Sequence, residues 1–599
     1  MTNNKRTVTC GQLDKSWAGK KVVLNGWVHR NRDHGGIHFL NLRDHYGMTQ
    51  VVIDEDAREQ LKKEAESLKI EFCVAVEGVV RQRPESMINK EMKTGSIEVK
   101  AEKITILNSC ETLPFMIDEE SEANENLRLK YRYLDLRSLG MQKRIKLRAD
   151  LAFAVREFFD GRGFLEIETP TLIKSTPEGA RDFLVPSRLH EGKFFALPQS
   201  PQLYKQILMV SGFDKYFQIA RCYRDEDARG DRQLEFTQID VEMSFVTADD
   251  IYEMTEAMYS HIFKKLMNID LPSSFERITY HDAMNTYGSD KPDLRFGLQF
   301  HDFAPFVGKG EFSVFKDVLS DSSGAVKAMI VPGAAAAYSR KKISELEEEA
   351  KKYGAKGLAW MKVTADGFDG GISKFYQSIS TEIIRGLGAK EGDLILLMGA
   401  QWKTACNSLG AIRSKLGRDL DLIDESKFKF CWIVDFPLFD YNDDEQCWEP
   451  AHHMFSMPQD RFIETMEKNP GEVLGDLYDL VLNGYELASG SIRVHHPELQ
   501  QRIFNIVGFP KELAEERFGF LLDAFKYGAP PHGGIASGLD RLAMILAGKQ
   551  SIREVIPFPK NNVGVSPMDE SPAFVDEEQI KDLHLQVIKS KSPETQETK

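Results

Sequence analysis

A strand that carries carboxylates and follows a highly charged loop is the sequence feature that most restricts the fold of this chain. Residues 221–243 read RCYRDEDARGDRQLEFTQIDVEM, and six of the eight residues from Asp225 to Arg232 are charged. In the segment LEFTQIDVEMSF, polar and apolar residues alternate, which predicts a half-buried strand. Glu235, Asp240 and Glu242 lie along this strand. The pattern predicts two strands, joined by a charged loop, on which arginines and carboxylates are interleaved.

Composition and charge restrict the class of protein. With 599 residues, 42% apolar and 28% charged, the chain is expected to form several globular domains. It has no run of 18 apolar residues and begins with the polar segment MTNNKRTVTCGQL, so we expect no membrane span and no secretory signal. Its seven cysteines form no CxxC pair, which favours a reduced, cytoplasmic protein without a zinc site. The net charge of −15 argues against bulk nucleic-acid binding, although segments such as HRNRDHGG are locally basic.

The N-terminal region is predicted to be a small β-barrel. Between residues 20 and 107, five segments have strand character, and the helical segment EDAREQLKKEAESLK lies between the third and the fourth. This is the order of an OB-fold, whose sheet face binds oligonucleotides. Another small barrel without a ligand would give the same pattern, so both alternatives stay open.

The character of the sequence changes after the barrel. Residues 108–140 lack periodicity and indicate a hinge, a helix with apolar residues from Leu147 to Phe159 follows, and FLEIETPTLI predicts a strand ending at Pro170. Residues 285–420, which include KKISELEEEAKKYGAKGLAWMKV, indicate an α+β segment inserted into a larger domain. The polar end, KSKSPETQETK, is expected to be disordered.

A second charged motif lies near the C-terminal end. The segment HGGIASGLDRLAMILAG, residues 532–548, predicts a glycine-rich turn that leads into a helix with Arg541 in its first turns. A helix N-terminus with an arginine, reached through small residues, suits a polyphosphate. Taken alone, the pattern is weak evidence, and it favours ordinary helix capping.

Three segments in a fixed order resemble the motifs of class II aminoacyl-tRNA synthetases: FLEIETP, then YRDED with RQLEFTQID, then GIASGLDRL. Within this class the chain is most similar to the bacterial-type aspartyl-tRNA synthetases, through STPEGARDF, LPQSPQLYKQ, FTQIDVEMSF, AHHMFS and GYELASGSIRVHH. It departs from them at Ala488-Ser489-Gly490, where the family usually has three glycines.

The resemblance implies a multidomain α/β fold and a homodimer formed around Pro170. The N-terminal OB-fold barrel would bind the anticodon, the catalytic domain would be an antiparallel sheet with helices, and an α+β domain would be inserted into it. The implied boundaries are 1–107 for the OB-fold, 108–140 for the hinge, 141–284 and 421–562 for the two catalytic parts, 285–420 for the insertion and 563–599 for a C-terminal extension.

The resemblance also implies activation of L-aspartate by ATP, with Mg²⁺, and transfer to tRNA. The α-carboxylate attacks the α-phosphorus, so two anions must meet and catalysis requires positioning and charge neutralisation. Arg224 would hold the α-phosphate and the reacting carboxylate, and Arg541 the γ-phosphate. The other implied contacts are Phe236 on the adenine ring, Asp225, Glu226, Gln233, Glu486, Gly538, Leu539 and Asp540 on ATP, and Asp479 and Glu486 on magnesium. Any one of the charged residues could instead form a structural ion pair.

The implied aspartate site places an opposite charge at each substrate charge. The candidates are Glu178 and Asp240 for the ammonium group, Arg493 and Lys205 for the side-chain carboxylate, and Arg224, Gln202 and His452 in support. The adjacent His453 stays open as the contact in place of His452. A buried arginine that faced a neutral amide would be partly uncompensated, at roughly 3–5 kcal/mol, so we expect asparagine to be rejected.

On the OB face, Phe39 could stack on an anticodon base or lie in the barrel core. Arg32, Gln50 and Glu98 are expected to contact base edges. His34 stands where discriminating enzymes of this family generally carry leucine, and it resembles the relaxed subgroup that also aspartylates the asparagine tRNA. Ser86, at the second position associated with relaxation, stands where glycine is common. Since histidine can donate or accept a hydrogen bond, it could accommodate either pyrimidine at the base that differs between the two anticodons.

Several alternatives remain. The chain could be a strictly discriminating aspartyl enzyme or an asparagine- or lysine-specific relative; Arg493 with Lys205 and the large insertion favour aspartate. A non-catalytic tRNA-binding paralogue is disfavoured by the presence of Arg224, Glu486 and Arg541. An amide-forming ligase without tRNA is disfavoured by the OB-like region. The expected partners are thus L-aspartate, tRNA(Asp) and tRNA(Asn).

Overall fold

The computed structural model describes residues 5–176, 180–442 and 444–588. These residues form two compact units, one of them comprising residues up to Ile145 together with Ser566–Ser571. No helix within the described ranges has the length and apolar character needed to cross a membrane. Glu178 and the polar end predicted to be disordered lie outside the described residues.

The first unit contains the predicted closed barrel. Its elements are β1 (Lys21–His34), β2 (Ile37–Asp44), β3 (Gly47–Ile53), α1 (Glu59–Ser67), β4 (Cys73–Gln82) and β5 (Ile97–Asn108). The strand order is β1-β2-β3-β5-β4, with the helix after the third strand as the sequence predicts. Alternate residues of β1, such as Val22 and Leu24, are buried in the barrel core, as expected for the period of two along a strand.

The segment after the barrel is more regular than the predicted hinge. It contains α2 (Glu125–Lys130), which the Asn124 side chain caps, α3 (Arg132–Asp135) and the start of α4 (Leu139–Asp160). Helices of six and four residues are too short to show a hydrophobic period, which explains why the sequence did not indicate them.

The second unit begins within α4 and continues into the first part of a large sheet. Its elements up to residue 287 are β6 (Leu165–Glu166), β7 (Leu184–Pro186), β8 (Phe194–Ala196), α5 (Gln202–Val210), β9 (Lys215–Tyr223), β10 (Glu235–Ser244), α6 (Ala248–Met267), β11 (Glu276–Thr279) and α7 (Tyr280–Tyr287). The strand predicted from FLEIETPTLI is much shorter than expected, since β6 pairs with β9 through only two residues. The chain then leaves the sheet before Pro170, whose ring nitrogen has no hydrogen to donate to a ladder.

A separate five-stranded sheet follows. Its elements are β12 (Phe300–Asp302), α8 (Ala304–Val307), α9 (Ser313–Leu319), β13 (Gly324–Val331), α10 (Arg340–Lys351), β14 (Ala359–Thr364), β15 (Gly367–Asp369), α11 (Ser380–Leu387), β16 (Leu394–Gln401) and α12 (Trp402–Asp419). Alternate residues of the central strand β16 enter two different cores, Leu396 with α10 and α12 and Leu397 with α9 and α11. This sheet therefore has a buried core on each face, in agreement with the predicted α+β character.

The large sheet is then completed by the last part of the chain. The elements are β17 (Phe430–Val434), β18 (Phe439–Asn442), β19 (Cys447–Pro450), β20 (Leu477–Leu482), β21 (Tyr485–Ile492), α13 (Pro497–Ile506), α14 (Lys511–Phe525), β22 (His532–Gly538), α15 (Leu539–Leu546) and α16 (Glu577–Asp582). The order of the eight strands is β11-β17-β20-β21-β22-β10-β9-β6. The six central strands are antiparallel and the two edge strands are parallel to their neighbours. Helices α4, α6 and α15 share one hydrophobic core with this sheet.

The prediction of a glycine-rich turn at residues 532–538 is wrong, because this segment is the strand β22. It lies between β10 and β21 in the sheet. A Cβ at Gly534 would lie 2.0 Å from Glu242 Oε2 and 2.1 Å from the Val241 carbonyl oxygen. Glycine is therefore needed here for a close approach to β10, not for a turn.

Candidate active site

A cavity of about 470 Å³ lies over the central strands of the large sheet. It gathers most of the predicted aspartate- and ATP-binding residues: Gln202, Lys205, Arg224, Glu226, Gln233, Phe236, Asp240, His452, Glu486, Arg493, Gly538, Asp540 and Arg541. They come from α5, β10, β21, β22 and α15 and from the segments that connect the strands. The fold thus brings together side chains that are far apart in the sequence.

Three predicted contacts among the described residues do not line this cavity. Asp225 lines a neighbouring cavity with Arg181, Arg229 and Arg232. Leu539 is fully buried in the hydrophobic core of the sheet. Asp479 lies buried on β20, beside Ser489 of β21, which does line the cavity.

The floor of the cavity is a buried network of two cations and two carboxylates. Lys205 Nζ lies 2.7 Å from Asp240 Oδ1 and 3.2 Å from Glu242 Oε2. Arg493 Nε donates to Glu242 Oε1 over 3.0 Å. None of the four side chains is more than 5% exposed. The network is electrically balanced, as buried charges must be.

The two carboxylates of this network differ in their proton affinity. Burial by itself would raise the pKa of Glu242, but the charges of Arg493 and Lys205 outweigh it and lower that pKa to about 2. Burial raises the pKa of Asp240, and Lys205 opposes this shift only in part. Glu242 is therefore an anion at neutral pH.

Glu242 was not among the predicted site residues, although the period of two along β10 places it on the same face as Asp240. Its contact with Arg493 also corrects the expected reason for rejecting asparagine. Arg493 has a permanent counter-ion, so a neutral substrate would not leave it uncompensated.

Several buried polar atoms of the cavity residues have no hydrogen-bond partner within the described part of the chain. They are the donors Gln202 Nε2, Arg224 Nε and Arg541 Nε, the acceptor Asp240 Oδ2, and His453 Nε2. Leaving a buried polar group unpaired costs about 1–3 kcal/mol. Atoms of this kind, at the wall of a cavity, indicate where a ligand binds.

The two adjacent histidines occupy different surroundings. His453 Nδ1 accepts a hydrogen bond from the Phe455 N–H over 3.2 Å, and Nε2 is buried without a partner in the described structure. Burial and the charges of Arg493 and Lys205 lower the pKa of His453 to about 3, so this ring is neutral. His452 also lines the cavity, with its ring 4.7 Å from that of Phe436.

The other end of the cavity is formed by arginines and by the ends of β21 and α15. Arg541 donates to the Glu486 carbonyl oxygen and lies 3.1 Å from Asp231 Oδ2. The guanidinium of Arg224 lies over the Phe236 ring, 5.1 Å from its centroid. This end therefore combines cations with an aromatic face.

Two of the predicted ATP contacts already have partners in the protein. Asp540 accepts from Arg148 Nε over 2.9 Å and from the Thr237 N–H over 2.8 Å, which fixes the start of α15 against β10. Gln233 exchanges two hydrogen bonds with the backbone of Lys560, over 3.1 and 2.9 Å. Both side chains therefore orient neighbouring segments.

The predicted magnesium residues fit that ion in chemistry. Burial, with the nearby charge of Glu486 as a second cause, raises the pKa of Asp479 well above its ordinary value, and Asp479 Oδ1 is buried without a partner in the described residues. Two neighbouring carboxylates, one with an unsatisfied oxygen, are suitable hard ligands. A different described cluster, Glu445, Cys447 and Glu449, lies on the β18–β19 hairpin, but two of its three members are exposed and no further observation points to an ion there.

In the barrel, the predicted anticodon residues fall into two groups. Arg32, His34 and Ser86 are exposed, and Phe39 is half-buried with its ring 5.9 Å from that of His34. Phe39 is not part of the barrel core, so that alternative is wrong. Gln50 and Glu98 are buried and joined by a 3.0 Å hydrogen bond, and Arg81 also donates to Glu98.

Comparison with known proteins identifies the family. The profile of the tRNA synthetases class II (D, K and N) matches residues 124–562, which include every cavity residue named above. The chain belongs to this family. A second profile, the OB-fold nucleic acid binding domain, matches residues 22–107 of this class II synthetase. The family and the fold predicted from the sequence are thereby confirmed.

Among proteins of known name, the synthetase is 66% identical over 591 residues to an aspartate–tRNA(Asp/Asn) ligase of Treponema denticola, covering 98% of this chain and 100% of that one. It is 51% identical to an aspartate–tRNA(Asp/Asn) ligase of Borreliella burgdorferi (97% and 99% covered) and 48% identical to an aspartate–tRNA ligase of Macrococcus caseolyticus (98% and 99%).

Solved structures share the fold of this synthetase. The asparaginyl-tRNA synthetase of Pyrococcus horikoshii in complex with asparaginyl-adenylate matches with a TM-score of 0.57 at 20% identity, covering 92% of this chain and 97% of that one. The aspartyl-tRNA synthetase of Entamoeba histolytica matches with a TM-score of 0.56 at 17% identity, covering 93% and 92%.

Proposed function

We propose that this synthetase activates L-aspartate with ATP and transfers it to tRNA(Asp) and tRNA(Asn). The observation that carries the proposal is the unpaired set of buried polar atoms above the balanced network of Lys205, Asp240, Glu242 and Arg493. A carboxylate acceptor beside arginine and amide donors is complementary to an amino acid that has an ammonium group and an acidic side chain. The names of the close relatives support the same activity.

In this proposal the ammonium group of aspartate donates to Asp240 Oδ2, and Glu178 is a further acceptor. The side-chain carboxylate accepts from Lys205 and from Arg493, with Gln202 and either His452 or His453 in support. The amide of asparagine would turn N–H groups toward these donors. We expect about 1–3 kcal/mol of discrimination from this mismatch, less than an uncompensated arginine would give.

The chemical step is the attack of the α-carboxylate of aspartate on the α-phosphorus of ATP, with pyrophosphate as the leaving group. Arg224 neutralises the two anions as they meet, and Arg541 holds the γ-phosphate. Adenine would lie against Phe236, beside Glu226 and Gln233. Asp479 and Glu486 would hold a magnesium ion, which adds positive charge at the phosphates when bound. A ribose hydroxyl of the tRNA then attacks the adenylate and AMP leaves.

We propose that the barrel recognises the anticodons of both tRNA(Asp) and tRNA(Asn). His34 is exposed and its ring lies 5.9 Å from that of Phe39, which supports a contact with an unstacked anticodon base. Ser86 is the second position associated with relaxed choice. Gln50 and Glu98 are bonded to each other, so they would contact a base edge only if this hydrogen bond were broken and replaced by one to the base.

Assembly, location and domain division are further parts of the proposal. Exposed apolar side chains near Pro170, including Leu165, Leu172 and Phe195, support a homodimer. We propose a cytoplasmic location. We also propose that the chain is divided into six segments: 1–107, 108–140, 141–284, 285–420, 421–562 and 563–599. The separate cores of the sheet formed by β12–β16 support 285–420 as an inserted domain.

Two assays test the function. ATP–pyrophosphate exchange should depend on aspartate and not on asparagine or lysine; equal or greater exchange with either of the latter would refute the substrate assignment. Aspartate charging of purified asparagine tRNA should be comparable to that of aspartate tRNA, and His34→Leu should reduce only the former. A preference of ~100-fold or more for aspartate tRNA in the parent enzyme would overturn the dual assignment.

A further inference from the structure

Lys291 is a cation at the active-site cavity that the proposed reaction does not yet use. It lies in the segment GSDKPD, residues 288–293, between α7 and β12. Its side chain lines the cavity, with Nζ 3.8 Å from Glu486 Oε2 and 43% of its surface exposed. The ammonium group is therefore hydrated and loosely paired, and can reach a ligand in the cavity.

Lys291 lies in the part of the cavity where Arg541 is proposed to hold the γ-phosphate of ATP. Glu486 is approached from two sides, since its carbonyl oxygen accepts from Arg541 and its carboxylate faces Lys291. The amino-acid end is defined instead by Lys205 and Arg493, which bind Asp240 and Glu242. Lys291 thus shares its location with Arg541.

The segment between α7 and β12, which carries Lys291, packs against the protein on two sides. On the large sheet, a Cβ at Gly484 would lie 3.2 Å from the Cβ of Asp293, so the connection passes closely over the β20–β21 turn. On the smaller sheet, the buried Arg413 of α12 donates over 2.9–3.0 Å to the carbonyl oxygens of Asp293, Phe296, Gly297 and Leu298. The following Pro292 further restricts the backbone at Lys291. This anchoring makes the position of the cation a built feature of the fold.

We propose that Lys291 binds the β- and γ-phosphates of ATP and the pyrophosphate formed from them. The proposal rests on the adenylation proposed above and extends it. An ammonium group is a compact charge with three donors, which suits the oxygens of a polyphosphate. The multiply charged phosphates compete for it with a single carboxylate held at 3.8 Å. The segment containing β12–β16, through Arg413, thereby helps to place a phosphate-binding residue.

The test compares the variants Lys291→Met and Lys291→Arg with a control, Lys352→Met. Lys352 pairs with Glu349 on α10, near the five-stranded sheet, and its side chain is 67% exposed. Calorimetry with inorganic pyrophosphate and with a non-hydrolysable ATP analogue measures binding without any amino acid. We expect ~10-fold weaker binding of both by Lys291→Met, about 1.4 kcal/mol. The ATP KM should rise similarly while the aspartate KM stays within ~2-fold, and Lys291→Arg should retain most of the affinity because the charge is kept.

Unchanged pyrophosphate binding by Lys291→Met, or an equal loss in Lys352→Met, would overturn the proposal. A rise in the aspartate KM equal to that for ATP would do the same, since it would indicate a general distortion of the site. The calorimetric measurement uses no aspartate. A parent enzyme without aspartate-dependent exchange would therefore refute the proposed function, and the test of phosphate binding by Lys291 would still stand.

Discussion

At the scale of single residues, the chemistry of the site depends on which charges are already paired. Glu242 is the buried counter-ion of both Lys205 and Arg493, and it forms an ion pair with each of them in the absence of substrate. The remaining donors of these cations are then available to a substrate carboxylate. In the proposed binding mode, the side-chain carboxylate of aspartate would add one anion to this cluster, and the ammonium group of the same substrate would offset it.

Replacing Glu242 by Gln should leave an excess positive charge among side chains that are at most 5% exposed. We expect a loss of about 3–5 kcal/mol in stability and loss of aspartate-dependent exchange. Glu382→Gln, which removes a surface partner of Lys309, should cost less than about 1 kcal/mol. Chemical denaturation of both variants measures the difference; equal small effects would contradict the role of Glu242.

Asp476 should make the free energy of unfolding depend on pH. Burial, with the charges of Asp460 and Asp435, raises the pKa of Asp476 from 3.8 to about 6. The folded state therefore holds this proton more tightly, and the contribution is lost as pH rises from about 4 to 6. Asp476→Asn should raise stability at pH 7.5 by on the order of 1–3 kcal/mol and have little effect at pH 4. Thermal unfolding at both pH values checks this; equal stabilisation at both would contradict it.

At the scale of elements, the strand β22 determines how closely the sheet packs behind the site. Its glycines let β10 and β21 approach it, so that Glu242 has room beneath the cavity floor. A strand with ordinary side chains at these positions would displace the carboxylate that holds Lys205 and Arg493.

Gly534→Ala should therefore both destabilise the protein and raise the aspartate KM, because the added methyl group overlaps Glu242 Oε2. Overpacking of this kind costs about 1–3 kcal/mol. In Gly519→Ala, on α14, the new Cβ meets no atom within 4 Å among the described residues, and the helix should gain up to about 1 kcal/mol. Kinetics and thermal unfolding of the pair separate the two effects, and a normal aspartate KM in Gly534→Ala would show that the strand spacing is unimportant.

At the scale of the whole molecule, apolar side chains left exposed near Pro170 contrast with an otherwise charged chain of net charge −15. Leu165, Leu172, Leu184 and Phe195 are each at least 40% exposed. Such a group of side chains is expected to be covered by a partner, and a second copy of the chain is the partner that we propose.

Light scattering should accordingly give a mass of about twice 68.0 kDa for the parent protein. Leu172→Glu should shift the population toward the single-chain mass, since a buried, unpaired charge opposes association. Leu422→Glu, at an exposed leucine distant in sequence, should not. A parent protein of single-chain mass would refute the homodimer.

The sequence by itself indicated many of the strands and helices, although not α2, α3 or β22, and its resemblance to the family indicated most of the residues that line the cavity. Alternation in LEFTQIDVEMSF predicts β10, the five barrel strands follow from local patterns, and the order of the motifs indicates Arg224 and Arg541. Only the tertiary structure decided which of these groups meet. The pairing of Glu242 with Arg493 spans 251 residues and that of Arg148 with Asp540 spans 392. Such contacts depend on strand order and register in the sheet, and a local period of two carries no information about which strand lies alongside. The same limit applies to Lys291, whose place at the cavity is set by Gly484 and Arg413 and by no pattern in its own segment.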